Sequence, residues 1–212
     1  MERRAAETRP TGRRVTPPTA ATPETAAQRS ARRSLRALDA NVWNSDIAGP
    51  GSLRMETLAS RGAQVVRVAS GAQRAVLLRA IPTHSNAQTI TVDLWLAVGT
   101  NAVGSWIVDF VTLRCPSPEL TAAFGLASGN TLGVSSRPTA AESSFGAPVA
   151  GWQKVVITVD GGAIAATYAG QSKTITVPAS FSSRVGCTLE LGANVLGNIP
   201  EVTVAFSSVC VE

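Results

Sequence analysis

The sequence predicts an all-β fold, either an antiparallel sandwich or a barrel. From residue 53 onward, eleven short segments rich in β-branched residues follow one another, separated by clusters of Gly, Ser, Asn or Pro. No helical pattern of about ten residues interrupts this series, so alternating βαβ units are excluded. The predicted strands are Leu53–Glu56, Gln64–Ala69, Arg74–Ile81, Thr89–Val98, Ser105–Arg114, Thr131–Ser135, Gln153–Val159, Ala163–Tyr168, Lys173–Val177, Thr188–Gly192 and Val202–Val211.

Alternation within the segment TITVDLWLAV supports this fold class. Successive side chains of a strand point to opposite faces, so every second residue shares a face. One face of this strand is apolar and is expected to lie in the core. The other face is mixed and is expected to meet solvent or a ligand. The apolar face carries Ile90, Val92, Leu94 and Leu96, and the mixed face carries Thr91, Asp93, Trp95 and Ala97.

The segment GWQKVVITVDGGAIAATYAGQSKTITV, residues 151–177, predicts three strands joined by two hairpins. Asp160-Gly161-Gly162 supplies residue types that adopt the positive φ angles of a tight turn. Ala169-Gly170-Gln171 makes the second reversal. We interpret the stretch as scaffold, because turn chemistry accounts for Asp160 and the edge of a core accounts for Trp152.

The order of the segments resembles the laminin-G-like and concanavalin A-like jelly-roll family. TITVDLWLAV is similar to an early strand of that family, and WIVDF with FGLASGNTLGVSS is similar to its next hairpin. The meander, GCTLELGANV and PEVTVAFSSVCVE are similar to its late strands. The resemblance covers residues 53–212 and implies a jelly-roll sandwich that binds a glycan or a protein surface. Ser207 and Ser208 stand where the family often has acidic residues, so calcium is not indicated there, and no cofactor is predicted.

The positive charge of the chain is concentrated at its N-terminus. Residues 1–36 hold nine arginines and three acids, a charge of +6, whereas the remainder carries −1. A broad nucleic-acid-binding face on the remainder is therefore not expected, and the N-terminal arm is the one candidate for such binding. The arginines of the arm are Arg3, Arg4, Arg9, Arg13, Arg14, Arg29, Arg32, Arg33 and Arg36.

The composition divides the chain into three parts. Residues 1–21 are rich in Arg, Thr, Pro and Ala without periodicity, which predicts a disordered arm. Thr22 and Pro23 are residue types that begin helices, so residues 22–48 are predicted to form a short, marginal helix and a linker. Residues 49–212 are predicted to form the β-sandwich. The thin apolar stripe of the helix consists of Ala27, Ala31, Leu35 and Leu38.

The three cysteines, Cys115, Cys187 and Cys210, leave their redox state open. None is spaced as CxxC, so a zinc site is not predicted. Cys187 and Cys210 lie in apolar segments where buried thiols are common. If the chain is exported, one disulfide and one thiol are expected instead.

The sequence shows no residue pattern typical of catalysis, and it predicts a protein that is not an enzyme. Glycosidases use paired carboxylates, in patterns such as ExDxxE, and no such pattern is present. Asp93 and Asp109 lie on neighbouring predicted strands and could approach each other, but we interpret both as solvent-facing. His84 is the single histidine and lies in the loop segment PTHSNAQ, which excludes metal sites built on histidine. A glycanase or lyase of the same fold stays open.

Tryptophans provide a candidate binding surface. Trp95 shares a strand face with Asp93, and Trp106 shares the face of the next predicted strand with Arg114. Flat aromatic rings flanked by polar groups bind sugars, so we expect a platform of Trp95 and Trp106 with Asp93 and Arg114 at its margin. The alternative interpretation is that the tryptophans fill the core.

These observations favour a non-catalytic binding module that recognises a glycan or a protein surface. The alternative is a jelly-roll virus coat protein whose basic arm binds packaged nucleic acid. No apolar segment approaches the roughly 20 residues of a membrane span. No signal-peptide pattern follows the N-terminal arginines. An extracellular or cell-envelope location is expected if the natural start carries a leader, and a location in the virion under the alternative.

Overall fold

The computed structural model describes residues 43–81, 87–100, 104–116, 119–179 and 184–212. Fourteen strands run through these ranges. They are β1 (Asn44–Ala48), β2 (Gly51–Leu58), β3 (Arg61–Val68), β4 (Arg74–Ala80), β5 (Gln88–Val98), β6 (Ile107–Pro116), β7 (Glu119–Ala127), β8 (Thr131–Arg137), β9 (Glu142–Gly146), β10 (Gln153–Asp160), β11 (Ala163–Tyr168), β12 (Gln171–Thr176), β13 (Thr188–Leu196) and β14 (Val202–Val211).

Two seven-stranded sheets pack face to face. The first sheet has the order β1-β4-β13-β6-β7-β8-β9, and the second has the order β12-β11-β10-β5-β14-β3-β2. Every pairing between neighbouring strands is antiparallel. The predicted all-β antiparallel sandwich is therefore confirmed, and the barrel alternative is excluded.

The core lies between the sheets and follows from the two-residue period of the strands. On β13 of the first sheet, Leu189 and Leu191 point inward and are fully buried, while Glu190 between them points outward. On β5 of the second sheet, the alternation predicted from the sequence is observed. Its buried residues are Ile90, Val92, Leu94 and Leu96.

Three aromatic rings join the two sheets beside β9. The ring centroids of Phe124, Phe145 and Tyr168 lie 5.6–5.9 Å apart, within the range of favourable tilted pairs. The hydroxyl of Tyr168 accepts a hydrogen bond of 2.8 Å from the backbone N–H of Val149. Burial raises the pKa of Tyr168, so this side chain is a neutral part of the core.

A disulfide joins Cys115, near the end of β6, to Cys187, just before β13. The two cysteines are separated by 72 positions in sequence and are 1% and 3% exposed. The sequence left the state of the cysteines open, and the structure contains this one bond among the described residues. The Sγ atom of Cys210 lies 3.7 Å from Oε1 of Glu212.

The centre of the first sheet brings β6 and β7 unusually close. A register shift lies between Asp109 and Val111 of β6, where Gly125 of β7 is the partner of Asp109. A Cβ atom at Gly125 would lie 2.5 Å from the carbonyl oxygen of Val108 and 2.9 Å from Cα of Asp109. Glycine is therefore required for this close approach.

Three strands of the first sheet were not predicted from the sequence. β7 is rich in Ala and Gly, and β1 and β9 are five-residue edge strands of mostly polar or small residues, so none has a strong strand pattern. β1 pairs with β4, and Trp43 is 4% exposed in the core. Residues 43–48 thus belong to the sandwich, ahead of its predicted start at residue 49. The arm with its nine arginines, the predicted helix and His84 lie outside the described residues.

Where the chain is described, it contains no helix with the length and apolar character needed to cross a membrane.

Removing the disulfide is expected to weaken the fold. Replacing Cys115 and Cys187 together by alanine should lower the free energy of unfolding by about 2–5 kcal/mol, because the bond restricts the unfolded chain over a long loop. Urea unfolding followed by tryptophan fluorescence measures this change. The Cys210→Ala variant keeps the disulfide and should stay within about 0.5 kcal/mol of wild type. An equal loss in both variants would contradict the expectation.

Gly125→Ala should also destabilise the protein. The added methyl group meets the backbone of β6, and overpacking of this kind costs about 1–3 kcal/mol. Gly62→Ala is the matched control, because a Cβ atom there has no heavy atom within 4 Å. Thermal unfolding of both variants tests the assignment. A Gly125→Ala protein as stable as Gly62→Ala would contradict the assignment, because it would mean that β6 and β7 accommodate the added methyl group without cost.

Candidate functional site

The outer face of the first sheet, here called the groove face, carries two rows of opposed side chains. The register of the antiparallel strands aligns these residues across the sheet. Both rows combine charged residues with small or hydroxyl-bearing ones. The first row is Leu78, Glu190, Thr112, Ala123, Ser135 and Glu142, and the second is Arg74, Asn194, Asp109, Gly125, Gly133 and Ser144.

A cleft of about 660 Å³ lies on the groove face over β6–β9. Its floor includes Gly125 and Gly133, which have no side chains to fill it. Its charged lining residues are Asp109, Arg137 and Glu142. Hydroxyl groups supply much of the remaining polar lining, and concave sites with a few placed polar groups are typical of ligand binding. The hydroxyl-bearing residues are Ser128, Thr131, Ser135, Ser136, Ser143 and Ser144.

Asp109 is a buried carboxylate in this cleft, with 5% of the residue exposed. Nη2 of Arg137 donates a hydrogen bond of 3.1 Å to its Oδ2 atom. Loss of hydration on burial raises the pKa of Asp109, and the positive charges of Arg137 and Arg114 only partly oppose this. Asp109 is therefore a better proton acceptor than an ordinary surface aspartate.

Glu190 is the second buried carboxylate of the groove face, and its side chain is 3% exposed. Its Oε1 atom accepts hydrogen bonds from Nη2 of Arg74 at 2.9 Å and from Nε of Arg114 at 3.1 Å. Its Oε2 atom accepts one from Nδ2 of Asn194 at 2.7 Å. Arg74 also lies 3.2 Å from Asp46, measured from Nε to Oδ2. A connected set of charges thus spans β1, β4, β13 and β6.

Two arginines of the groove face are each anchored to a buried carboxylate and remain half exposed. Arg114 is anchored to Glu190 and is 50% exposed, and Arg137 is anchored to Asp109 and is 44% exposed. Both have Thr121 of β7 as a register partner, one from each side. This arrangement presents positively charged donors in fixed positions to an anion that binds on the groove face.

The structure does not bring the four predicted ligand-binding residues together. Arg114 lies on the groove face, whereas Asp93 and Trp95 lie on the outer face of the second sheet. Trp106 is 6% exposed and belongs to the core. The four therefore form no single platform, because their strands belong to different sheets. A ligand-binding role for Asp93, Trp95 or Arg114 individually stays a prediction.

Asp93 is separated from Asp109 by the core, so the predicted approach of these two carboxylates does not occur. Asp93 instead accepts a 2.9 Å hydrogen bond from Oγ of Ser208 and lies 3.6 Å from Nη1 of Arg61. The guanidinium of Arg61 lies 5.2 Å from the ring centroid of Trp152. Trp95 and Trp152 pack on a small second cluster of buried residues consisting of Ala63, Val65 and Ala205.

Four charged residues of the groove face were not predicted as a site from the sequence: Asp109, Arg137, Glu142 and Glu190. The available signal was a charged residue inside an otherwise apolar strand, as in WIVDFVTLR and TLELGANV. The partners of these residues depend on the pairing of β13, β6, β7 and β8, which local patterns do not determine.

No protein-family model and no curated protein matches the chain. Solved structures do match it. The PL7 alginate lyase AlyA1 from Zobellia galactanivorans has a TM-score of 0.60 at 12% identity, covering 83% of this chain and 96% of that one. The family 7 alginate lyase A1-II′, in complex with substrate, has a TM-score of 0.59 at 12% identity, with 84% and 94% covered. The cellulose-induced protein Cip1 has a TM-score of 0.58 at 14% identity, with 82% and 92% covered.

These neighbours share the concanavalin A-like jelly-roll sandwich, so that part of the resemblance is confirmed. The narrower resemblance to laminin-G-like domains stays a prediction. The predictions of a non-catalytic binding module, with a virus coat protein as the alternative, and of a protein that is not an enzyme were wrong, because several of the solved structures that match the chain are named as alginate lyases. The prediction rested on the absence of a linear carboxylate motif, whereas the charged residues of the groove face come from separate strands. At these identities the likeness itself shows the fold alone.

Proposed function

We propose that this chain is a polysaccharide-degrading enzyme that cleaves an acidic polysaccharide by elimination in the cleft over β6–β9. The observation that carries the proposal is the setting of Asp109. It is a buried carboxylate of raised pKa in a cleft, beside two half-exposed guanidinium groups. Carboxylates perturbed in this way are candidates for proton transfer.

Elimination from a polymer of uronic acids requires two things of an enzyme. A base must remove the proton from the carbon next to the sugar carboxylate. The electron pair of that C–H bond then forms a carbon–carbon double bond while the bond from the neighbouring carbon to the glycosidic oxygen breaks. The electron pair of the broken bond stays on the oxygen, which takes up a proton from the protonated base or from water. The negative charge that develops on the carboxylate must be stabilised by fixed positive donors.

The groove face offers residues for both tasks. Asp109 would accept the proton, and its raised pKa makes it a stronger base than an exposed aspartate. Arg114 and Arg137 would hold the sugar carboxylate through the guanidinium edges that face the groove. Among the described residues of the groove face there is no histidine or tyrosine, and Tyr168 is buried in the core. A carboxylate is therefore the proton-transfer group that fits best.

The solved structures that resemble the chain support the same substrate class. Alginate is a polymer of uronic acids, and several neighbours are named as alginate lyases. The glycan expected from the sequence as a partner would then be a substrate. The hydroxyl-rich walls of the cleft suit the neutral hydroxyl groups of the sugar rings.

Loss of the Asp109 carboxylate should abolish most of the activity. Wild type incubated with alginate and other polyuronates should produce the ultraviolet absorbance of a double bond conjugated to a carboxylate. Asp109→Asn should lower kcat by about a hundredfold or more, the typical contribution of a positioned base. Glu56→Gln is the control, because it changes a carboxylate on the opposite sheet. The proposal fails if wild type cleaves no acidic polysaccharide, or if Asp109→Asn is as active as the control.

The same substitution should make the stability of the protein less dependent on pH. The native pKa of Asp109 is above its ordinary value of 3.8, so the native state holds this proton more tightly than the unfolded state. Wild type therefore loses stability as the pH rises from 3.8 through the raised pKa, and Asp109→Asn does not incur this loss. The difference between the melting temperatures of the two proteins should grow as the pH rises from 3.8 toward neutral. A constant difference across that range would contradict the raised pKa.

A further inference from the structure

We propose that Glu190 is a positioning residue that fixes the side chains of Arg114 and Asn194 on the groove face. This role rests on the function proposed above. Glu190 lies in the central part of the first sheet, on β13 between β4 and β6. Neither the sequence nor the likeness to other structures assigns it a role.

The contacts of Glu190 account for a positioning role. Three side-chain donors from three different strands meet its two oxygens at 2.7–3.1 Å. Two of these donors are guanidinium groups, so the hydrogen bonds are charge-assisted and hold their donors more firmly than neutral ones. Removing a buried carboxylate from such a set strongly destabilises a protein, because its donors are left without an acceptor.

The same contacts exclude a direct role in proton transfer. Both oxygens of Glu190 accept hydrogen bonds from side-chain donors, two at Oε1 and one at Oε2. A substrate therefore meets the donors that Glu190 holds rather than Glu190 itself. Its effect on the reaction must pass through those donors.

Arg114 is the partner through which the effect should be largest. It contacts Glu190 through Nε, and the planar guanidinium places the Nη atoms on its other edges. The Arg114 side chain is 50% exposed. Its positive charge also acts on Asp109. Anchoring one edge of the guanidinium in this way fixes the direction in which the other edges point.

Arg74 extends the anchored set to the edge of the sheet. It donates a hydrogen bond to Glu190 through Nη2, and its Nε atom lies 3.2 Å from Oδ2 of Asp46 on β1, an ion-pair distance without a hydrogen bond. Arg74, Arg114 and Asn194 are all donors, so they share Glu190 as their charged acceptor. Loss of the Glu190 charge should therefore weaken the hold on Arg114 and Asn194.

Glu190→Gln tests the proposal, because it keeps the size of the side chain and removes its charge. Displacement of a positioned group by about 1 Å can reduce kcat/KM by roughly a hundredfold. We expect a loss of roughly tenfold to a hundredfold on polyuronates, with a higher KM. In parallel, Arg114 should react faster with phenylglyoxal, as measured by peptide mass spectrometry, since a neutral amide oxygen holds its Nε edge more weakly than a carboxylate does.

Glu56→Gln is the matched control. Glu56 accepts two hydrogen bonds from Arg67, at 2.6 and 2.7 Å, on the second sheet and away from the groove. This variant should keep the wild-type kcat/KM and the wild-type reactivity of Arg114. A purely structural role for Glu190 would lower the melting temperature without changing the reactivity of Arg114 in the folded protein.

Unchanged kcat/KM and unchanged Arg114 reactivity in Glu190→Gln would overturn the proposal. If that variant does not fold, Glu190→Asp decides, because it keeps the negative charge but withdraws it from Nε of Arg114 by one methylene. An aspartate variant with wild-type kcat/KM and wild-type Arg114 reactivity would overturn the proposal, and a loss of roughly tenfold or more with faster modification of Arg114 would support it. If wild type cleaves no polysaccharide, the proposed function fails, but Arg114 reactivity in the folded Glu190→Gln protein still decides whether Glu190 positions it.

Discussion

Each strand of the first sheet has to serve two opposite environments, because adjacent side chains point to opposite faces. Leu189 and Leu191 fill the core, and Glu190 between them must face outward. It is nevertheless almost fully buried, because arginines from the neighbouring strands cover it. The loss of hydration on burial is unfavourable for a carboxylate and is offset only by well-placed charged donors. The two-residue period of the strands thus places carboxylates on the groove face, where arginine donors have to compensate for their lost hydration.

The sequence determined the fold class because the strand pattern is local. β10 and β11 combine β-branched residues with a strong turn signal and were predicted within about a residue of their bounds. β7 was missed because Ala122, Ala123 and Gly125 are poor strand formers, and its position depends on packing between β6 and β8. The site was harder to predict because Asp109 meets Arg137 only through the register of three strands. Such contacts are non-local, and no spacing in the sequence encodes them.

The tryptophans illustrate why residue type alone did not identify the site. Trp106 fills the core, whereas Trp95 and Trp152 cover a small apolar cluster on the second sheet. Flat aromatic residues suggested sugar binding on strands that turned out to belong to different sheets. The groove face instead combines buried carboxylates, anchored arginines, glycines and hydroxyl groups. Its chemistry suits proton transfer and anion binding more than ring stacking.

The disulfide between Cys115 and Cys187 limits which strand pairings the oxidised chain can adopt. Arg114 and Thr188, the neighbours of the two cysteines, are register partners, so the bond fixes how β6 aligns with β13. A slip of β13 by one residue would turn Glu190 toward the core and bring the leucines of β13 to the surface. Such a slipped pairing would also separate the two sulfur atoms. In the oxidised chain the covalent bond therefore favours the register in which the charged and the apolar faces lie on their correct sides.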